Sequence, residues 1–201
     1  MDPEIEKLIR EISECSRCGR FVIDKPCLIH DIYRKFMPPK PRALVISESP
    51  PPGPKKDYLY NIGEYDRLRQ ALAKTFEIPE NEVINYLYNK HVFWTTAIKC
   101  RPISEKQLEA MGIKINFREK FLETLRINCR KLLDLEIRII KPNVIVALGT
   151  KAKKSLIELN LKPHLSCYHP LYYSRRGELN KLRSILEKSF EIIGQNYGST
   201  D

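Results

Sequence analysis

"RALVISESPPPGPKK", residues 42–56, carries Ala43, Leu44, Val45 and Ile46 in an unbroken apolar run. No polar residue alternates through it, so it reads as a strand buried on both faces, not one with a wet side. The run breaks at Ser47, Glu48 and Ser49, and Pro50, Pro51, Pro52, Gly53 and Pro54 bar any continuation of the ladder. A glutamate thus stands at the end of a buried strand, against a stiff loop. It is either a strand-end residue that caps backbone N–H groups or a functional carboxylate.

Working outward, similar runs recur at 91–100 ("HVFWTTAIKC"), 142–149 ("PNVIVALG") and 165–169 ("LSCYH"). Helical periodicity separates them. Ile5, Leu8, Ile9 and Ile12 share a face over residues 3–13, and Leu68, Leu72 and Phe76 do so over 64–76. A short helix is expected over 80–89. Phe121, Leu125, Cys129, Leu132 and Leu133 form a stripe in a long helix that follows a linker, "RPISEKQLEAMGIKIN". A helix capped by Thr150 and a last one over 178–193 complete the pattern, ahead of a small polar tail, "NYGSTD". Alternating strands and helices with doubly buried strands predict an α/β fold, a three-layer α/β/α sandwich around a parallel sheet of about four strands. One domain covers 1–201, with a cysteine-bearing N-terminal segment (1–40) tied to it. In such a sheet, sites form where strands end at the carboxyl edge. Glu48, Thr96, Gly149 and His169 all fall there.

The net charge is +10, which favours a polyanionic partner such as DNA or RNA. No apolar run approaches the roughly 20 residues of a membrane span, and "MDPEIEKLIREISE" is a charged amphipathic helix, not a signal peptide. The chain is expected to be an intracellular monomer. Abundant Lys, Ile and Glu point to a thermophile. No P-loop is present, which argues against an NTP hydrolase.

Six cysteines stand at 15, 18, 27, 100, 129 and 167. Cys15 and Cys18 form a C-x2-C that brings two thiolates to one centre, and two more ligands are needed. Cys100 and Cys129 are candidates. Cys129 also fits the helix's apolar stripe, and Cys27 is an alternative to it. Cys167 reads as a small core residue. Four thiolates suit either a [4Fe–4S] cluster or Zn, and such a centre would staple the N-terminal segment to the sandwich.

Taken in order, Cys15-x2-Cys18, Ser47-Glu48-Ser49-Pro50-Pro51, Thr96-Ala97-Ile98-Lys99-Cys100-Arg101-Pro102, Cys129, "IVALG" at 145–149 and Tyr168-His169-Pro170 followed by Arg175 form one pattern. It resembles the uracil-DNA glycosylase superfamily, in particular its iron-sulfur members of the family 4 and 5 type, over about residues 8–193. The resemblance implies a monofunctional glycosylase that removes uracil from DNA. It implies Glu48 as the carboxylate that stabilises an oxocarbenium-like transition state, and His169 as donor to the leaving base. By itself His169 reads as a backbone-bonded histidine. Cys15, Cys18, Cys100 and Cys129 become the ligands of a [4Fe–4S] cluster, with Zn the alternative.

The resemblance also places Ser49, Thr96 and Asn61 at the base, Asn61 matching the aromatic that stacks on the flipped nucleotide. Tyr60, one position earlier, can take that work. Tyr172 and Tyr173 are candidate wedges at the emptied base position. Arg175, Arg176, Lys55, Lys56, Arg101 and Lys151 are candidate DNA contacts. Thr96 replaces the family's Asn, Ser47 and Pro51 replace glycines, and Ser49 replaces Ala. These departures leave open another deaminated base, hypoxanthine or xanthine, and a catalytically weak DNA-binding module of the same fold.

Overall fold

A computed structural model describes residues 2–195; the polar tail at 196–201 lies outside the described residues. The strands are β1 (Ala43–Ser47), β2 (Val92–Thr96), β3 (Val144–Leu148) and β4 (Leu165–Cys167). All pair in parallel, in the order β2-β1-β3-β4. Every residue of β1, β2 and β3 is buried, which is why their sequences run apolar without alternation.

The helices are α1 (Pro3–Glu14), α2 (Pro26–Ile29), α3 (Ile32–Lys35), α4 (Arg67–Phe76), α5 (Val83–Asn89), α6 (Glu105–Ala110), α7 (Leu122–Ile140), α8 (Thr150–Ile157), α9 (Pro170–Arg176) and α10 (Leu179–Gln195). On one face α10 packs against β1, β3 and β4, with α4 and α9 beside it. On the other, α7 packs with α1 and α8, and α8 reaches β1 and β3. The arrangement is a three-layer α/β/α sandwich around a four-stranded parallel sheet, as the alternation predicts.

Local differences have local causes. β2 ends at Thr96, not at residue 100; past it Lys99 turns its ammonium back onto the Thr96 carbonyl (2.6 Å). The linker at 101–116 contains α6, started by a capping box between Ser104 and Gln107. Gly149, with φ 87 and ψ 164, is the N-cap of α8, so Thr150 is its first residue and not its cap. The stretch after His169 is helical: His169 caps α9, Pro170 fills the first turn, and Gly177 ends it with φ 68.

The N-terminal segment docks by a short antiparallel pairing. Ile23 N–H donates to Arg101 O (2.9 Å), Arg101 N–H to Asp24 O (2.8 Å) and Ile103 N–H to Phe21 O (3.1 Å). Cys18 is thereby carried toward Cys100.

Candidate active site

Strand order sets the geometry of the carboxyl edge. Thr96 ends β2, Glu48 follows β1, Gly149 follows β3, and His169 lies just past β4. Neighbouring strands stand about 4.8 Å apart, so the chain ends that carry Glu48 and His169 are separated by roughly 10 Å. Between them, Gly149 adopts a φ of 87 that favours glycine, and a Cβ built there would meet no atom within 4 Å.

Glu48 is half-buried, and its carbonyl accepts from Ile98 N–H (2.9 Å). Ser49 beside it is also half-buried. Ser47 is buried and donates its hydroxyl to Thr95 O (3.3 Å), so it braces the sheet. Arg101 holds the proline loop: its guanidinium donates to Pro51 O (3.0 Å) and Asp57 O (3.2 Å) and pairs with Asp24 (3.2 Å). Gly53 N–H adds a bond to Pro102 O (2.9 Å). Arg101 is only 2% exposed, so its expected phosphate contact is replaced by a structural role. Its guanidinium is turned inward onto these two loop carbonyls and the Asp24 carboxylate.

His169 is half-buried, and its Nδ1 accepts from Leu171 N–H (3.3 Å). An acceptor at Nδ1 leaves the ring proton on Nε2. Burial, reinforced by the nearby Arg175 cation, pushes the imidazole down to about 4. The neutral Nε2–H form therefore prevails at neutral pH. Beyond it, Tyr168 (55% exposed) stacks on Tyr172 (39% exposed) with ring centroids 4.3 Å apart, and Arg176 lies over Tyr172 at 5.4 Å. Tyr173, the other expected wedge, is 6% exposed and belongs to the core. Arg175 is exposed, whereas Arg176 is paired with Glu178 (3.2 Å).

Tyr60 is also turned inward. Its ring packs against Phe36 (5.2 Å), and its hydroxyl donates to Trp94 O (2.8 Å) and accepts from Trp94 N–H (3.1 Å). It seals the outer edge of β2 and does not present a face for stacking. Asn61 ties the loop together, donating to Lys56 O (2.9 Å) while its carbonyl accepts from Arg69 (2.9 Å). Lys55 and Lys56 are exposed, with Lys56 near Glu64 (3.4 Å). Lys151, half-buried, lies 3.8 Å from Glu123.

Cys15, Cys18, Cys100 and Cys129 line one cavity of ≈ 470 Å³, under the loop that docks the N-terminal segment. Cys27 does not line it: it is buried close by, near Cys100 and Cys129, with its thiol directed at Lys99 O (3.8 Å). Burial raises the thiols of Cys18 and Cys129 and pushes Cys100 up to about 12, so a cation is needed to displace their protons. Asn128 Nδ2 donates to Cys18 Sγ (3.7 Å) and Lys99 N–H to Cys129 Sγ (3.4 Å). Donors aimed at sulfur are the outer-shell partners that metal-bound thiolates use. The donor set therefore fits a thiophilic centre. Among the described residues, no three His, Cys, Asp or Glu side chains meet as ligands of a single ion; the four cysteines share a cavity wall.

Residues 34–189 match the family described as the uracil DNA glycosylase superfamily. The chain belongs to this superfamily. The type-4 uracil-DNA glycosylase of Sulfurisphaera tokodaii is 24% identical over 208 residues, an alignment that covers 94% of this chain and 83% of that protein.

In this member of the superfamily the strand end rests on a buried polar group that sequence reading missed. Lys99 and Glu136 are 0% exposed and pair at 2.5 Å. Lys99 Nζ also donates to Thr95 Oγ1 (2.8 Å), and Glu136 Oε1 accepts from Tyr33 (2.7 Å) and Thr95 (2.9 Å). A signal existed. Glu136 lies three and four residues after Leu133 and Leu132, on the stripe that α7 turns to the sheet, where an unpartnered carboxylate would be costly. Tyr168 was also passed over, although it adjoins His169.

Proposed function

We propose that the chain is a monofunctional DNA glycosylase that hydrolyses the N-glycosidic bond of uracil in DNA. The observation that carries this reading is His169, neutral and with its proton on Nε2, at the same sheet edge as Glu48. A flipped nucleotide spans the roughly 10 Å between those chain ends. As the bond between C1′ and the base nitrogen breaks, its electron pair leaves with the base and negative charge develops on the base oxygen. His169 Nε2–H donates a hydrogen bond to that oxygen without first losing a proton to solvent. The Glu48 carboxylate faces the positive charge developing on the sugar, orients water toward C1′ and takes up the proton that water gives up. Lys99 is buried and held by Glu136, Thr95 and Thr96, which supports hydrolysis over a Schiff-base lyase.

DNA is the partner, met through exposed Lys55, Lys56 and Arg175 and the Tyr168–Tyr172 stack. Cys15, Cys18, Cys100 and Cys129 would hold a [4Fe–4S] cluster, with Zn the alternative. The bound group would cross-link the N-terminal segment to β2 and α7.

Anoxically purified protein should release uracil from a duplex and leave an alkali-labile site, with no strand cleavage before alkali. Glu48→Gln should slow single-turnover release by about 10²–10⁴-fold while shifting DNA affinity by only a few-fold. Intact binding with no abasic product would overturn the enzyme reading in favour of a binding module. A broad visible absorbance band that disappears with Cys100→Ala would support the cluster; fully metallated protein without the band would sink it.

A further inference from the structure

The middle of α7 gives the cysteine cavity two side chains. Cys129 is one, and Asn128, the residue before it, is the other. Asparagine suits a helix interior poorly, because its amide competes for the helix's own backbone groups. Here the amide does not turn back. Asn128 Nδ2 crosses to the N-terminal segment and donates to Cys18 Sγ (3.7 Å), 110 residues away in the chain. A bond returns the other way: Arg17, exposed and inside the C-x2-C, donates to the Asn128 backbone carbonyl (3.2 Å). The loop that carries Cys15 and Cys18 is thus clasped, in both directions, to the helix that carries Cys129. Cys18 is 6% exposed, so water does not readily replace a donor lost there. Cys129 Sγ also accepts an N–H, from Lys99 (3.4 Å), but that donor is backbone and no side-chain substitution removes it. Asn128 is the donor that sequence can change.

Resting on the metal centre proposed above, we propose that Asn128 is a positioning residue for it, holding Cys18 in the ligand set and setting the charge on its sulfur. An N–H aimed at a metal-bound thiolate fixes where the sulfur lies, so binding costs less ordering. It also draws charge from the sulfur. That favours the more negative, reduced state of a redox centre and raises its potential. The same bond acts on a lone thiophilic cation and on an iron–sulfur cluster. Arg17 acts on the loop alone, since it touches a backbone carbonyl and not a sulfur. The metal-free chain has little at stake in Asn128: its bond to a neutral thiol is weak, and alanine suits α7 better. Loss of the amide therefore falls on the bound state.

The test uses the full chain under anoxic conditions, with cobalt(II) alone as the first probe and iron with sulfide as the second. Competition against a chelator gives cobalt affinity, and the sulfur-to-cobalt charge-transfer band reports the charge on the thiolates. Voltammetry of the iron-loaded protein gives its midpoint potential. Asn128→Ala should bind cobalt about ten- to a hundredfold more weakly. It should also move the band to longer wavelength and shift the potential to a more negative value, while urea unfolding of the metal-free protein changes little. Asn128→Asp, close in shape but without the donor, should lose at least as much affinity, and Asn128→Gln, which keeps the amide, should recover part of it. Arg17→Ala should weaken affinity and leave the band and the potential in place. An Asn128→Ala chain that matches the unaltered one in affinity and band would overturn the proposal and leave the metal centre standing. Equal band shifts from Arg17→Ala and Asn128→Ala would also overturn it, because loop docking would then account for both. The Asp and Gln variants carry the comparison if Asn128→Ala fails to fold, and the cobalt data decide it if no cluster forms. An unaltered chain that takes up neither cobalt through thiolates nor a cluster would overturn the metal centre and this proposal with it. Uracil release is measured separately, so its failure overturns the glycosylase reading and leaves this one standing.

Discussion

At the residue scale, pH acts through His169. Its imidazole takes up a proton near 6.5 in the unfolded chain and only near about 4 in the folded one. Between those values the unfolded state binds more protons. The stabilisation is therefore complete above pH 6.5 and is lost as pH falls toward 4, with a size on the order of 3 kcal/mol. Urea unfolding at pH 7 and pH 4.5 checks this against His169→Asn, which keeps a capping side chain but cannot titrate. The unaltered chain should lose more stability on acidification than the variant. Equal losses would mean that His169 is not held neutral by the fold. For the same reason, excision should show no ionisation near 6.5 attributable to His169.

At the element scale, the ends of β1 and β2 are held by side chains from elsewhere. Arg101 fastens the proline loop that follows Glu48. The Lys99–Glu136 pair joins the end of β2 to α7, and Tyr33 of α3 joins α7 through the same carboxylate. Lys99→Met strands a buried carboxylate and should cost about 3–5 kcal/mol in urea unfolding. Adding Glu136→Gln should recover much of that loss, because the amide oxygen still accepts from Tyr33 and Thr95 and no charge remains unpaired. A single variant that costs under about 1 kcal/mol would show that the pair does not brace the strand end.

At the scale of the whole molecule, the proposed DNA contact together with the net charge of +10 predicts an affinity that depends on salt. The logarithm of the binding constant should fall linearly with the logarithm of salt concentration. Arg175→Ala should reduce the magnitude of that slope by about 1. Arg176→Ala should change it less, because Glu178 already neutralises that guanidinium. An Arg175→Ala slope identical to that of the unaltered chain would remove this face from the DNA contact. Among the described residues no helix is long and apolar enough to cross a membrane.

The fold class was legible in the chain because it rests on local patterns. Doubly buried strands run apolar, helices repeat at three and four residues, and prolines mark where strands stop. Those stops place Glu48, Thr96 and His169 on one edge from the sequence alone. Tertiary packing decided which side chains face that edge. Tyr60, Tyr173 and Arg101 look like surface groups in one dimension, yet each is turned inward to satisfy a backbone edge, a helix contact or a pair of loop carbonyls. That cysteines from the N-terminal loop, the end of β2 and the middle of α7 line one cavity depends on docking across some hundred residues. The partner of the Thr96 hydroxyl, Ile98 O, lies in a turn whose Thr96 carbonyl Lys99 also bonds. Periodicity records which residues must be buried; it does not record which distant donor or acceptor will meet them, since that match is made only when the layers close.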